Sequence, residues 1–399
     1  MINKKYVEMT KSESVIRRIY MYGLERAKAI GAENVFDYSL GNPSVDPPAE
    51  YVDAAIDLLK HDNAMHVHGY SPNSGMPEAR KAIAEDLNKR YGTNYTDKNV
   101  FMSVSAAGAI AHAIRAVVTP EEGQNVIVFA PFFPEYVHYV TGTGAEIRVV
   151  PADFNGFQIN FDEFEKLIDE KTAAVLVNSP NNPSGIVYST ETIDRLAAIL
   201  KERSAKYGHV IYLISDEPYR EIVFEGVDAP FIAKHYDNTI ICYSYSKSMS
   251  VPGARTGYCI INTEAEGYED FVPVCVQISR GIGHNCPPTL MQLAVSRAPG
   301  ALSDLAVYEK NMNILYDELT RLGFEIVKPG GTFYMLPKAL CDSAEEFCEK
   351  AKEFDLLLVP ATGFGAPGYF RIAYCTPTEK VVRSLDAFRK LAAFYTKKS

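Results

Sequence analysis

Thr239-Ile240-Ile241-Cys242-Tyr243-Ser244-Tyr245-Ser246-Lys247 is an apolar, β-branched run that stops at small hydroxylated residues and a lysine. A run this short and apolar throughout, without polar alternation, reads as a strand covered on both faces in a largely parallel sheet. The same pattern recurs at Val100–Val104, Asn125–Ala130, Glu146–Val150, Ala173–Val177, Val210–Ile214 and Gly257–Ile261. Amphipathic helical stretches separate most of these runs, among them Met76–Tyr91, Ala107–Val118 and Thr190–Tyr207. Strands alternating with helices predict an α/β fold, a three-layer sandwich around a mainly parallel seven-stranded sheet.

Past residue 290 the pattern changes. A long helical segment, Asp304–Leu322, is followed by strand candidates at Phe324–Val327, Thr332–Met335, Leu356–Val359 and Tyr369–Tyr374, and by a closing helix. Thr376-Pro377-Thr378-Glu379 reads as a capping box with proline at the first helical position. The expected division is a large domain over residues 46–290 and a smaller α+β domain made of residues 1–45 and 291–399.

The composition is that of a globular protein of 399 residues with 47% hydrophobic content. A net charge of -10 without an offsetting basic stretch argues against nucleic acid and anionic membrane as partners. Seven scattered cysteines form no C-x-x-C and no metal-ligand spacing, which fits a reducing compartment. The first residues lack the apolar core of a signal peptide, and no apolar run spans a bilayer, so a cytoplasmic location is expected. Gly142-Thr143-Gly144 and Gly281-Ile282-Gly283 are too short for a dinucleotide fingerprint and read as loops. His66 and His68 lack a third ligand, so no metal is expected, and Ser246 and Ser248 have no histidine and acid in a nucleophile arrangement.

Ligands of open α/β sheets collect beyond the carboxyl ends of the strands. There the sequence places Asp216-Glu217-Pro218-Tyr219, Asn178 through Gly185, and Ser244 through Lys247. Taken alone, Lys247 reads as a solvated loop lysine, Asp216 equally as a turn cap, Phe133 as a core aromatic and Arg371 as an edge-strand arginine. Arg255, eight positions after Lys247 in a Pro/Gly turn, strengthens a site reading, because a lysine imine with a phosphate-bearing cofactor needs a permanent cation nearby. Ser244 offers a hydroxyl to the same anion.

Further elements extend the pattern: Leu40-Gly41-Asn42-Pro43, Tyr70 followed by Gly75 and Arg80, Pro131-Phe132-Phe133-Pro134, Asn182-Pro183-Ser184-Gly185, Pro252-Gly253-Ala254-Arg255-Thr256-Gly257, and Arg371-Ile372. Together, and in this order across nearly the whole chain, they resemble the class I/II aminotransferases, aspartate-aminotransferase-like members of the fold type I pyridoxal-phosphate enzymes. The resemblance implies that Lys247 carries pyridoxal 5'-phosphate as an imine and later shuttles the α-proton, that Asp216 pairs with the pyridine nitrogen, and that Tyr219 and Asn182 bond the phenolic oxygen. It implies that Phe133 stacks on the ring, and that Arg255, Ser244 and the Ser105-Ala106-Ala107 loop hold the phosphate. Where the family carries glycine and hydroxyl residues this loop is Ser-Ala-Ala, which leaves two side-chain contacts without a counterpart. Tyr70 would reach the phosphate of a second subunit, making a homodimer part of the site.

The same resemblance assigns the substrate carboxylate to Arg371, with Asn182 and the backbone at Gly41. Arg280, one residue short of the place where aspartate-type members carry a second arginine, is a candidate for a distal carboxylate and equally an ordinary helix-end arginine. The implied reaction is transfer of an amino group between an L-amino acid, aspartate-like or broad, and a 2-oxo acid by a ping-pong route. A pyridoxal-phosphate carbon–sulfur β-lyase is the alternative, because the cofactor labilises any bond at the α-carbon. A non-catalytic pyridoxal-phosphate regulator is disfavoured by the presence of Lys247, Asp216 and Arg371.

Overall fold

The computed structural model describes residue 2, residues 4–10 and residues 15–396. After a short strand β1 (Phe36–Asp37) come β2 (Val100–Val104), β3 (Asn125–Phe129), β4 (Glu146–Val150), β5 (Thr172–Asn178), β6 (Tyr212–Asp216), β7 (Thr239–Ser244) and β8 (Thr256–Ile261). The last seven form one sheet in the order β2-β8-β7-β6-β5-β3-β4. β8 alone runs antiparallel to its neighbours, pairing with β2 and β7, and all other pairs are parallel.

Every residue of β3, β5, β7 and β8 is buried, as expected for strands covered by helices on both sides, whereas the edge strand β4 is half open. Each fully buried valine, leucine or isoleucine contributes about 1.5–3 kcal/mol relative to exposure. The helix Thr190–Tyr207 has the bounds read from the sequence, opened by Ser189, whose Oγ accepts from Thr192 N at 3.1 Å, and closed by Gly208 in the left-handed region.

The remaining strands are β9 (Tyr334–Met335), β10 (Leu356–Leu357), β11 (Val359–Pro360) and β12 (Phe370–Ala373). β12 lies between β11 and β9, antiparallel to both, and β10 pairs in parallel with β1. The helices Ala306–Arg321 and Thr378–Thr396 bury Leu315, Leu319, Phe388 and Leu391 in the same apolar cluster as Phe347 and Phe370.

Three local expectations need correction. Phe324–Val327 forms no strand: Phe324 turns edge-on to Phe347 and Phe370, and Glu325 O accepts from Lys338 N without a ladder following. Pro377 sits one place before the closing helix, its carbonyl accepting from Lys380 N and Val381 N. Gly281 and Ile282 end the helix Tyr268–Ile282, and only Gly283 lies beyond it, with φ 65°. Among the described residues no helix is long and apolar enough to cross a membrane.

Candidate active site

The sheet order brings several chain ends to one edge. β5, β6 and β7 finish there at Asn178, Asp216 and Ser244; β2 finishes there and passes into the helix Ser105–Val117; β8, running the other way, starts there just after Arg255. A cavity of about 510 Å³ opens at this edge. From the sheet side it is lined by Ser105, Ala106, Ala107, Phe133, Asn182, Asp216, Tyr219, Ser244, Lys247 and Arg255, and from the other side by Gly41 and Arg371. Thus all the residues singled out from the sequence meet here except Tyr70 and Arg280.

Asp216 is 4% exposed at the last position of β6. Its Oδ2 accepts from the Tyr136 hydroxyl, while Oδ1, buried and on the cavity wall, has no hydrogen-bond partner. Burial pushes the carboxyl up to about 7, opposed by the Tyr136 bond and reinforced by Glu217. The strand end is fixed by Asn178, whose Nδ2 donates to Asp216 O at 2.8 Å and whose Oδ1 accepts from Asn182 N at 2.7 Å.

Lys247 lies in the single turn Tyr245–Ser248, capped by Ser244, whose Oγ accepts from Ser246 N at 3.1 Å. Its Nζ crosses the cavity to donate to Gly41 O at 2.5 Å. Burial lowers its pKa to about 8, with Arg371 and Arg255 acting in the same direction against Cys375. A neutral amine is therefore accessible near neutral pH, as a nucleophilic lysine requires. Gly41 has to be glycine, since a Cβ there would lie 1.8 Å from Tyr334 Oη.

At the other end lies a cationic corner. Arg255, with φ 51°, donates from Nη2 to Ser105 Oγ at 2.8 Å and from Nη1 to Pro252 O at 3.1 Å. The helix beginning at Ser105 brings the amides of Ala106 and Ala107 to the same place, where the helix dipole favours an anion, while the Ser105 amide donates to Arg255 O at 3.1 Å. The close approach depends on Gly257, whose Cβ would lie 2.4 Å from Tyr243 O and 2.8 Å from Ser105 C.

Arg371, in the middle of the small sheet, is 2% exposed. Its Nη2 donates to Ser39 O at 2.6 Å and its Nη1 to Asn182 Oδ1 at 3.1 Å, while Nε has no partner. The rings of Tyr334 and Phe364 lie 4.7 and 5.0 Å from the guanidinium carbon. Among the described residues no carboxylate pairs with it, and burial lowers its pKa.

A partnerless Asp216 Oδ1, a lysine with a depressed pKa and an anion corner on one cavity wall fit pyridoxal phosphate: an acceptor for the ring N–H, an amine for the aldehyde, and donors for the phosphate. Arg371 is left over for a carboxylate.

Tyr70 and Arg280 are both exposed and line none of this cavity. Tyr70 follows the helix Ala64–His68, and Arg280 lies in the last turn of the helix Tyr268–Ile282, donating to Gln277 Oε1 at 3.1 Å. His66 bridges Asp62 and Glu78. The sequence reading gave no role to Tyr136, Asn178 or Tyr334. Asn178 stood in a quoted strand-end stretch, and a tyrosine three residues past Phe133 was the available hint of Tyr136. Tyr334 carried no sequence signal.

Residues 33–388 match the sequence model of the aminotransferase class I and II family. The chain is 30% identical over 371 residues to the aspartate aminotransferase of Thermotoga maritima, covering 90% of this chain and 93% of that protein. It is 29% identical to the aspartate/prephenate aminotransferase of Thermus thermophilus over 88% of this chain and 89% of that one. Among solved structures, an aminotransferase from Eubacterium rectale superposes with a TM-score of 0.95 at 42% identity, covering 99% of each chain. The aspartate aminotransferase of Thermotoga maritima does so with a TM-score of 0.86 at 27% identity, covering 98% of this chain and 100% of that one. A chain with this sheet, this cavity and these similarities belongs to the class I and II aminotransferase family and is a pyridoxal-phosphate-dependent aminotransferase of fold type I.

Proposed function

We propose that the protein transfers the amino group of an L-amino acid, aspartate-like or broadly chosen, to a 2-oxo acid by a ping-pong mechanism. The observation that carries this reading is Arg371: a buried guanidinium with an unbonded Nε and no counter-charge among the described residues, on the wall of the cavity that holds Lys247. A permanently charged, forked donor in that state is matched by a carboxylate, which every amino acid and 2-oxo acid carries. Relatives named for aspartate, for aspartate and prephenate, and for aromatic amino acids support a dicarboxylic or broad choice.

Bound pyridoxal phosphate supplies an electron sink that weakens the bonds at a substrate α-carbon. Lys247 Nζ would hold the cofactor's aldehyde and serve as the base for the α-proton, a task suited to an amine titrating near 8. Asp216 Oδ1 would accept from the ring nitrogen and keep it protonated. Tyr219 and Asn182 would hydrogen-bond the phenolic oxygen, and Phe133 would pack on the ring. Arg255, Ser244, the Ser105 side chain and the amides of Ala106 and Ala107 would hold the phosphate. Arg371, Asn182 and the Gly41 backbone orient the substrate carboxylate.

The proposed working unit is a homodimer in the cytoplasm, in which the exposed Tyr70 completes the phosphate site of the neighbouring subunit. Arg280 would read a distal carboxylate there. The test is a steady-state panel with aspartate, glutamate, alanine, phenylalanine and cystathionine as donors and 2-oxo acids as acceptors. Parallel double-reciprocal lines and formation of the donor's oxo acid are expected. Release of ammonia and pyruvate from cystathionine without need of a 2-oxo acid would contradict the reading in favour of a carbon–sulfur lyase.

A further inference from the structure

We propose that Tyr136 is a positioning residue for the reaction: its hydroxyl, bonded to Asp216 Oδ2, favours the ionised form of that carboxylate and turns it so that Oδ1 is the oxygen offered to the ring nitrogen. This rests on the role given above to Asp216.

A carboxylate offers two equivalent oxygens, and a buried one with neither oxygen bonded would both rotate and tend to take up a proton. Here the two oxygens are distinguished. Oδ2 accepts from Tyr136, while Oδ1 has no partner. Tyr136 is itself closely packed. It is 1% exposed in the helix Glu135–Thr141, with the Phe133 ring edge-on at 5.8 Å and the Phe132 ring stacked at 6.5 Å. The backbone of Asp216 is fixed by Asn178 from β5, so side-chain rotation is the freedom left, and Tyr136 removes it.

Five titratable groups surround Asp216. Glu217 adjoins it, Tyr136 and Tyr139 come from the Glu135–Thr141 helix, Tyr219 from the loop after β6, and Cys242 from β7. Burial holds the three tyrosines and the cysteine above their ordinary values, so all four stay protonated over the working pH range. Burial and the negative charge of Glu217 both favour a protonated Asp216, and the Tyr136 bond is what opposes them. A protonated carboxyl would present a hydrogen where the ring nitrogen's hydrogen must go.

The experiment titrates the Asp216 carboxyl of the full-length protein before cofactor is added, by isotope-edited infrared difference against Asp216→Asn, and then measures the Kd for pyridoxal phosphate. Tyr136→Phe is expected to raise the Asp216 midpoint by about one unit. It is also expected to weaken pyridoxal phosphate binding roughly ten-fold. In the Asp216→Asn background the same substitution should leave the Kd unchanged. Fluorotyrosine at position 136, a stronger donor of nearly the same shape, should move the midpoint down, and it decides the matter if the phenylalanine variant does not fold. An unmoved midpoint in both variants, or an equal loss of affinity with and without Asp216, would overturn the proposal. Failure of the parent to bind pyridoxal phosphate would instead sink the cofactor reading, because the midpoints report on Tyr136 without it.

Discussion

Two arginines near the strand-end carboxylates, the buried Arg371 and the largely covered Arg220, live in opposite electrostatic conditions. Arg220 Nε meets Glu217 Oε2 at 2.5 Å and its Nη1 donates to Tyr258 Oη at 3.1 Å. Burial alone would lower Arg220, but Glu217, Tyr258 and Glu221 more than offset it and the guanidinium is held well above its ordinary range. Arg371 is 2% exposed, has no carboxylate partner among the described residues, and is lowered by that burial. The neighbouring acids divide in the same way. Both oxygens of Glu217 are taken, by Arg220 and by the Ser215 hydroxyl, whereas Asp216 keeps Oδ1 free. A charge satisfied inside the chain stabilises the fold; a charge left incomplete in a cavity is complementary to something that arrives.

The comparison breaks most readily at Arg371. Arg371→Ala removes the partner proposed for the substrate carboxylate and should lower kcat/KM by about 30- to 5,000-fold for every amino acid, from roughly 2–5 kcal/mol for a buried charged pair. The melting temperature should hold or rise, because the charge removed has no carboxylate partner among the described residues. Loss of stability with retained kcat/KM would show that the arginine serves the fold. Arg220→Ala should do the reverse, destabilising by about 3–5 kcal/mol because Glu217 is left buried and unpaired. Thermal melts and active-site-normalised rates read the contrast.

Asp216 sharpens the same contrast through pH. Its folded carboxyl is raised to about 7, so between roughly pH 4 and 7 the folded chain binds more protons than the unfolded one. Stability therefore falls as pH rises through this window, and the burden is full above pH 7. Without cofactor, Asp216→Asn should melt higher than the parent above pH 7, with the gap closing towards pH 4. A gap that does not change with pH would refute the assignment.

Much of this arrangement was legible in the sequence because buried strands and special strand-end residues leave local marks. The seven sheet strands were all found, but Val210–Ile214 had to move to Tyr212–Asp216. Apolarity marks where both faces are covered, and the ladder continues beyond it to the Asn178↔Asp216 pair at the cavity. The reversed direction of β8 was invisible, since its apolar run resembles those of its parallel neighbours. Tyr136 and Tyr334 were missed for a related reason. Each sits among apolar residues and acquires a role only through Asp216, Gly41 or Arg371, which are distant in sequence.

Smaller effects probe the exposed residues. Arg280→Ala should lower kcat/KM for aspartate about ten-fold relative to alanine, the scale of one partly exposed charged contact. Equal slowing of both substrates would remove Arg280 from the side-chain pocket.

The central claim is that Lys247 carries the cofactor, and borohydride reduction of the pyridoxal-phosphate-loaded protein followed by peptide mass mapping tests it most directly. The account predicts a stable pyridoxyl mass increment on Lys247 and on no other lysine, absent when an amino acid is added first. An increment on a different lysine, or none on a protein that binds the cofactor, would contradict it.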